Sequence, residues 1–171
     1  MQPMSDPVSI VVMGVEGSGK STVAQALSER LNYEYLDADW FHSSANREKM
    51  ASGVPLSDED RLPWLRAVGE RIRAEADRSR ATVTACSALK RSYRDLLREY
   101  EPRLFFVFLD GPVDVVRERV ELRHHAFMPG TLLDSQFAIL EPLAPDERGV
   151  RIDIQLSRNQ QVDEIARAIS S

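Results

Sequence analysis

One segment has the residue types and spacing of phosphate chemistry: Gly14-Val15-Glu16-Gly17-Ser18-Gly19-Lys20-Ser21, a glycine, four residues, then Gly-Lys-Ser. The glycines let successive backbone N–H groups turn inward on phosphate oxygens, and a helix starting there adds the positive end of its dipole. In this P-loop pattern Lys20 reaches the β and γ phosphates, the Ser21 hydroxyl ligates Mg²⁺, and Thr22 carries the loop into the helix. A turn that merely joined strand to helix would need neither Lys20 nor Ser21. The segment therefore predicts a nucleoside triphosphate bound by residues 14–22.

A second set of residues suits an acceptor. Asp37 and Asp39 follow a short apolar run at i, i+2 spacing, so both carboxylates can reach one cleft. One can hold Mg²⁺ through water while the other accepts the proton of an attacking hydroxyl; the alternative for either is an Asp that caps the following turn. The polar stretch over about 39–65 reads as an acceptor-binding insert. Within it, Arg61 offers a planar guanidinium for an acceptor carboxylate, the alternative being a surface pair with Asp58 or Asp60. His42 can hydrogen-bond hydroxyls, and Trp40 and Trp64 read as packing residues.

Further along, Lys90 closes the block Cys86-Ser87-Ala88-Leu89-Lys90 and is expected at the acceptor or a phosphate, or else solvated in the first turn of a helix. Arg91, Arg94 and Arg98 share one helical face and read as a solvated stripe. Arg119 and Arg123, one turn apart, suit a lid over about 119–141 that closes on nucleotide phosphates. Adjacent His124 and His125, with no nearby cysteine, make a poor metal site.

These residues need elements to hold them. Short β-branched or apolar runs at 8–13, 33–36, 82–85, 104–109 and 150–154 read as strands. Amphipathic stretches at 21–31, 46–51, 57–78, 92–100, 113–122, 132–140 and 161–169 read as helices. Ser57 is placed to cap one of them, with Asp60 three residues on. Strands alternating with helices require crossovers, which favour a parallel sheet covered on both faces, hence an α/β class with ligands at the carboxyl ends of the strands. An adenine-contacting loop is expected near 157–160.

The whole chain, 1–171, is the length of one domain, with 43% hydrophobic and 29% charged residues. Its net charge of −5 argues against nucleic acid or a membrane surface as partner. With no apolar run long enough to span a bilayer, no signal-peptide pattern and a single cysteine, the expected compartment is the cytoplasm. Only Lys20, Lys49 and Lys90 are lysines, and none sits in the Asn-Lys-x-Asp sequence by which GTPases read guanine. A small-molecule kinase is the favoured class.

Taken together the motifs resemble the bacterial gluconokinase family of small P-loop kinases. The resemblance runs from Gly14 to about Pro142 and rests on the phosphate loop, on Leu36-Asp37-Ala38-Asp39 with His42, Asn46, Lys49 and Met50, and on Pro55-Leu56, Asp58, Asp60-Arg61 and Pro63-Trp64-Leu65. It rests further on Cys86-Ser87-Ala88-Leu89-Lys90 leading to Tyr93-Arg94-Asp95-Leu96-Leu97-Arg98, and on Phe127-Met128-Pro129, Leu133, Ser135-Gln136 and Leu140-Glu141-Pro142. It implies ATP and Mg²⁺, gluconate phosphorylated at O6, a five-stranded parallel sheet of nucleoside-monophosphate-kinase type, and a homodimer. One departure stands out: family lids read Arg-x-Gly-His-Phe, whereas here Arg123-His124-His125-Ala126-Phe127 puts Ala126 where the histidine would be.

On this reading Lys20, Arg119 and Arg123 neutralise phosphoryl charge, Asp39 accepts the O6 proton, and Ser21 and Asp37 serve the metal. Arg61, with Lys90 or His42, orients gluconate. The rivals are a kinase for shikimate or another small hydroxy-acid, and a non-catalytic ATP-binding module.

Overall fold

The computed structural model describes residues 7–122 and 130–171. Five strands form one parallel sheet: β1 (Ile10–Met13), β2 (Glu34–Asp37), β3 (Thr82–Ala85), β4 (Phe105–Asp110) and β5 (Gly149–Asp153), in the order β2-β3-β1-β4-β5. Between and after them run α1 (Lys20–Leu31), α2 (Ser44–Ala51), α3 (Asp58–Asp77), α4 (Arg91–Tyr100), α5 (Val113–Leu122), α6 (Gly130–Ile139) and α7 (Arg158–Ser170). A 3₁₀ turn, Ala38–Phe41, follows β2 directly and has no counterpart among the sequence expectations. All five expected strands are present within two residues of their expected ends.

Alternation along the strands builds two cores. Ile10 and Val12 of β1 face the layer of α1, α5 and α7 with Leu27, Val116 and Ile165, while Val11 and Met13 face α3 and α4 with Leu65, Val68, Ile72 and Leu97. The parallel register aligns all carboxyl ends on one side, and β3 lies between β1 and β2. The loop after β3 therefore separates the phosphate loop after β1 from the aspartates after β2. Ser57 caps α3 as expected: its Oγ accepts from Asp60 N–H and the Asp60 carboxylate accepts from Ser57 N–H. The three acidic residues of that first turn suit the helix dipole.

Two expectations need correction. Arg94 is not solvated; it is fully buried, and its guanidinium donates to both carboxylate oxygens of Glu147 (2.8 and 3.0 Å) and to the carbonyls of Ala88, Leu89 and Pro142. Arg98 is largely covered beside it and Arg91 pairs with Asp146, so the arginine face of α4 docks the chain on its way into β5. Trp64 packs in the core with Nε1 donating to Ala38 O, but Trp40 is 58% exposed, meeting Tyr35 edge-on. At the start of α7, Ser157 and Gln160 form a capping box, the Ser157 Oγ accepting from Gln160 N–H and the Gln160 Oε1 accepting from Ser157 N–H.

Candidate active site

The phosphate loop closes on itself through the Val15 carbonyl, which accepts from Ser18 N–H (3.2 Å), Ser18 Oγ (2.7 Å) and Lys20 Nζ (3.1 Å). Gly19 caps α1 at φ 97°, a left-handed conformation that spares the loop a Cβ penalty. Gly17, at φ 84°, is constrained from outside as well, because a Cβ there would lie 2.6 Å from Val120 Cγ2 of α5. From the opposite wall, Gln136 Oε1 of α6 accepts the Glu16 N–H at 2.7 Å.

A cleft of about 430 Å³ opens above the strand ends and is lined by Glu16, Gly17, Gly19, Lys20, Ser21 and Thr22 on one side and by Asp37, Asp39, His42, Arg47 and Arg61 on the other. Ser87 and Leu89 form its floor between them. The cleft thus unites the expected phosphate loop and acidic pair with two of the three expected acceptor residues.

The aspartates divide their work. Asp37 ends β2 as the cap of the 3₁₀ turn, one oxygen accepting Asp39 N–H (2.9 Å) and the other the Tyr35 hydroxyl (3.1 Å). The capping alternative therefore holds for Asp37, although its carboxylate still borders the cleft. Asp39 extends into the cleft without such ties. Its carboxylate is open to solvent there, but the surrounding walls raise its pKa above the ordinary 3.8 by burial and then by repulsion from Asp37, against the pull of Lys20. A raised carboxylate beside an anion-binding loop is the profile of a general base.

His42 stacks on Trp64 with ring centroids 4.2 Å apart, and burial, helped by Arg47 and Arg61, pushes its pKa down to about 4. The Asn46 amide nitrogen donates to Asp60 O and lies 3.3 Å from His42 Nδ1, which makes Nδ1 the acceptor of the neutral ring. Its Nε2, then the protonated nitrogen, lies 3.9 Å from Asp39 Oδ1. Arg61 has neither expected acidic partner: Asp60 is taken by Lys49 and Asp58 by Tyr93 and Lys90.

Two expected site residues stand elsewhere. Lys90 does not line the cleft; its ammonium holds the Asp58 carboxylate at 3.1 and 3.3 Å. Arg119 donates to the Ile154 carbonyl beyond β5 at 2.9 Å and does not border the cleft either. Of the expected lid, α6 meets the phosphate loop, through an amide and not a cation; Arg123 to Pro129, with both lid histidines and Ala126, lie outside the described residues.

Comparison with known proteins sets this site in a family. A family model described as adenylylsulphate kinase matches residues 6–123, which makes the chain a kinase of that broad family. The thermoresistant gluconokinase of Escherichia coli (strain K12) is 44% identical over 142 residues, covering 83% of this chain and 81% of that protein. The chain belongs to the gluconokinase family. The solved gluconokinase from Sinorhizobium meliloti 1021 agrees, with a TM-score of 0.88 at 44% identity over 96% of this chain and 93% of that one. An unliganded sugar kinase from Janibacter sp. HTCC2649 superposes with a TM-score of 0.92 at 45% identity over 96% and 95%.

Within the gluconokinase fold, the structure adds residues that motif reading missed. Arg47 borders the cleft and donates to the carbonyls of Asp39 (2.8 Å) and His42 (3.4 Å), securing the turn that carries the acidic pair. Its density of polar neighbours was visible in the sequence, but nothing there distinguishes an arginine that faces carbonyls from one in solvent. The hard oxygen donors Ser21 and Asp37 fit Mg²⁺, and the Tyr35 hydroxyl donates to Asp37 at 3.1 Å. Among the described residues no group of three or more His, Cys, Asp or Glu is placed to hold a metal ion. Cys86 is no nucleophile: burial pushes its thiol up to about 12.

Proposed function

We propose that the protein transfers the γ-phosphoryl group of ATP to O6 of D-gluconate, giving 6-phosphogluconate and ADP. The observation that carries this reading is the union, in one cleft of a gluconokinase-family chain, of the Lys20 and Ser21 loop, the raised Asp39 carboxylate and the Arg61 guanidinium. Arg61 binds the gluconate carboxylate and the neutral His42 Nε2–H a hydroxyl, which leaves O6 directed at Asp39. Asp39 takes the O6 proton as the new O6–phosphorus bond forms and the bond to the leaving ADP oxygen breaks. Lys20 leaves the Val15 carbonyl for the phosphates and neutralises the transferring charge. Ser21 and Asp37 would hold Mg²⁺, whose chemistry here is charge neutralisation on the nucleotide. Arg119 and Arg123 belong to this reading as cations brought over the triphosphate when the lid closes.

A coupled ADP-release assay over gluconate, other sugar acids and shikimate tests the reading. Saturable, Mg²⁺-dependent turnover on gluconate is the expected result. Turnover on shikimate with none on gluconate overturns the substrate, and ATP binding without turnover on any acceptor overturns the reaction. The reading also includes a cytoplasmic homodimer, for which sedimentation equilibrium is the direct test of association.

A further inference from the structure

Arg61 enters the cleft with half of its guanidinium already committed. Nη1 donates to Leu56 O at 2.7 Å and to the Tyr93 hydroxyl at 3.1 Å, which accounts for both protons of that nitrogen. Among the described residues, Nε and Nη2 make no hydrogen bond to protein, so they form the edge of the fork left for a ligand.

The Tyr93 hydroxyl has one proton, and its direction decides what Arg61 meets. That proton goes to Asp58 Oδ1 at 2.5 Å, which turns the oxygen lone pairs towards Arg61. Asp58 is in turn gripped by Lys90 through both oxygens, at 3.1 and 3.3 Å. Asp58 opens α3, on the acceptor insert, whereas Lys90 caps α4 and Tyr93 is buried on that helix against the sheet. The chain of contacts from Lys90 to Asp58 to Tyr93 to Arg61 therefore fastens the insert to the scaffold and fixes the rotation of one guanidinium. The guanidinium carbon also lies 5.4 Å from the Tyr93 ring centroid, so the same residue limits its tilt.

We propose that Tyr93, Asp58 and Lys90 act as positioning residues that aim the free edge of Arg61 at the acceptor carboxylate and so set selectivity for a sugar acid. The inference rests on the reading of Arg61 as the carboxylate ligand. A carboxylate accepts two parallel N–H bonds from the planar fork of a guanidinium, and a fork already held in the right orientation forms them without the entropy cost of ordering the side chain.

The test is steady-state kinetics of Tyr93→Phe and Lys90→Met, varying gluconate and ATP separately. Tyr93→Phe keeps the buried ring and removes only the hydroxyl. KM for gluconate is expected to rise about tenfold, the worth of one hydrogen bond to a charged group, with kcat and KM for ATP within about twofold. Lys90→Met, at a partly exposed site that tolerates change if Tyr93→Phe folds poorly, is expected to raise KM for gluconate about threefold, and Lys90→Arg to restore it. The double variant Tyr93→Phe/Asp58→Ala is expected to be no worse than Tyr93→Phe alone, since both act through one hydroxyl. Wild-type turnover on gluconate with an unchanged gluconate KM in both single variants overturns the clamp alone. An equal rise in KM for ATP, or a loss confined to kcat, also overturns it by assigning these residues to folding at large. No wild-type turnover on gluconate overturns the substrate reading and the clamp with it.

Discussion

Replacing Glu147 with glutamine removes one charge from the most enclosed ion pair among the described residues, and its cost follows from the structure by two routes. Neither Glu147 nor Arg94 has any solvent-accessible side-chain surface, so no discount for solvent screening applies. Breaking a buried pair by neutralising one partner costs about 3–5 kcal/mol, because the other charge stays buried. The second route is linkage. Burial pulls the Glu147 pKa upward, but bonds from Arg94, the Ala144 N–H and Arg98 outweigh it and take the group from 4.5 to about 2. That depression corresponds to about 3 kcal/mol of stability.

The sign of the pH dependence follows from a folded-state pKa lying below the unfolded one. The Glu147 contribution is fully present above 4.5 and is lost as pH falls from there through about 2. Urea denaturation of wild type and Glu147→Gln should therefore differ by about 3 kcal/mol at pH 7, and the gap should shrink to less than half by pH 3. For a chain of this size the neutral-pH loss is a fall in Tm of about 6–12 °C. The strained turn at Ala88, φ 44°, whose carbonyl is held by Arg94 at 2.8 Å, should loosen with it and expose its amides to hydrogen exchange. A loss below about 1 kcal/mol at pH 7, or a gap that does not change between pH 6 and pH 3, refutes this account.

Other outcomes follow from the same geometry. Asp39→Asn should lower kcat by about 10²–10⁴ with little change in KM for ATP, measured by coupled ADP release. Because the Asp39 pKa is raised and the base must be ionised, the acid limb of kcat/KM should fall at a pH above the ordinary carboxylate value of 3.8 and disappear from the residual activity of the variant. His42, with its pKa near 4, should stay neutral across the working range, so its NMR titration should show no inflection near 6.5. Gly17→Ala should weaken ATP binding and lower Tm, since its Cβ meets Val120 in a left-handed backbone; calorimetric titration and thermal melts read both.

What the sequence made legible depended on how local the physics is. The phosphate loop could be read because its function lies in backbone N–H groups, which glycines and one helix start position without distant help. Trp64 was readable for a related reason: with Leu65, Val68 and Ile72 it recurs on one helical face, and that face is buried. Trp40 sits on a 3₁₀ turn with no such period, and its exposure left no mark in the pattern. Arg94 shows the limit most plainly. Its spacing with Arg91 and Arg98 is that of a solvated stripe, and the carboxylate that buries it stands 53 residues further along the chain. Lys90 follows a strand, a position that suits a ligand contact or a solvated first turn of a helix, but Asp58, 32 residues earlier, holds its ammonium. Such partners are decided by which loops the sheet order brings together, and that order is itself a tertiary fact.

The scarcity of lysine has a practical side. Lys20 borders the cleft, while Lys49 and Lys90 grip the two aspartates of the first turn of α3, so every side-chain amine of this protein lies on its ligand-binding half. Arginine supplies the positive charge everywhere else. Amine-reactive esters, enzymatic acetylation and covalent coupling to a sensor chip would all act on that half and, apart from the α-amino group, leave the opposite face unlabelled. The rate of Lys20 labelling thus becomes a reporter of ligand occupancy, with Lys49 and Lys90 outside the cleft as internal references, and immobilisation for binding work should use another chemistry.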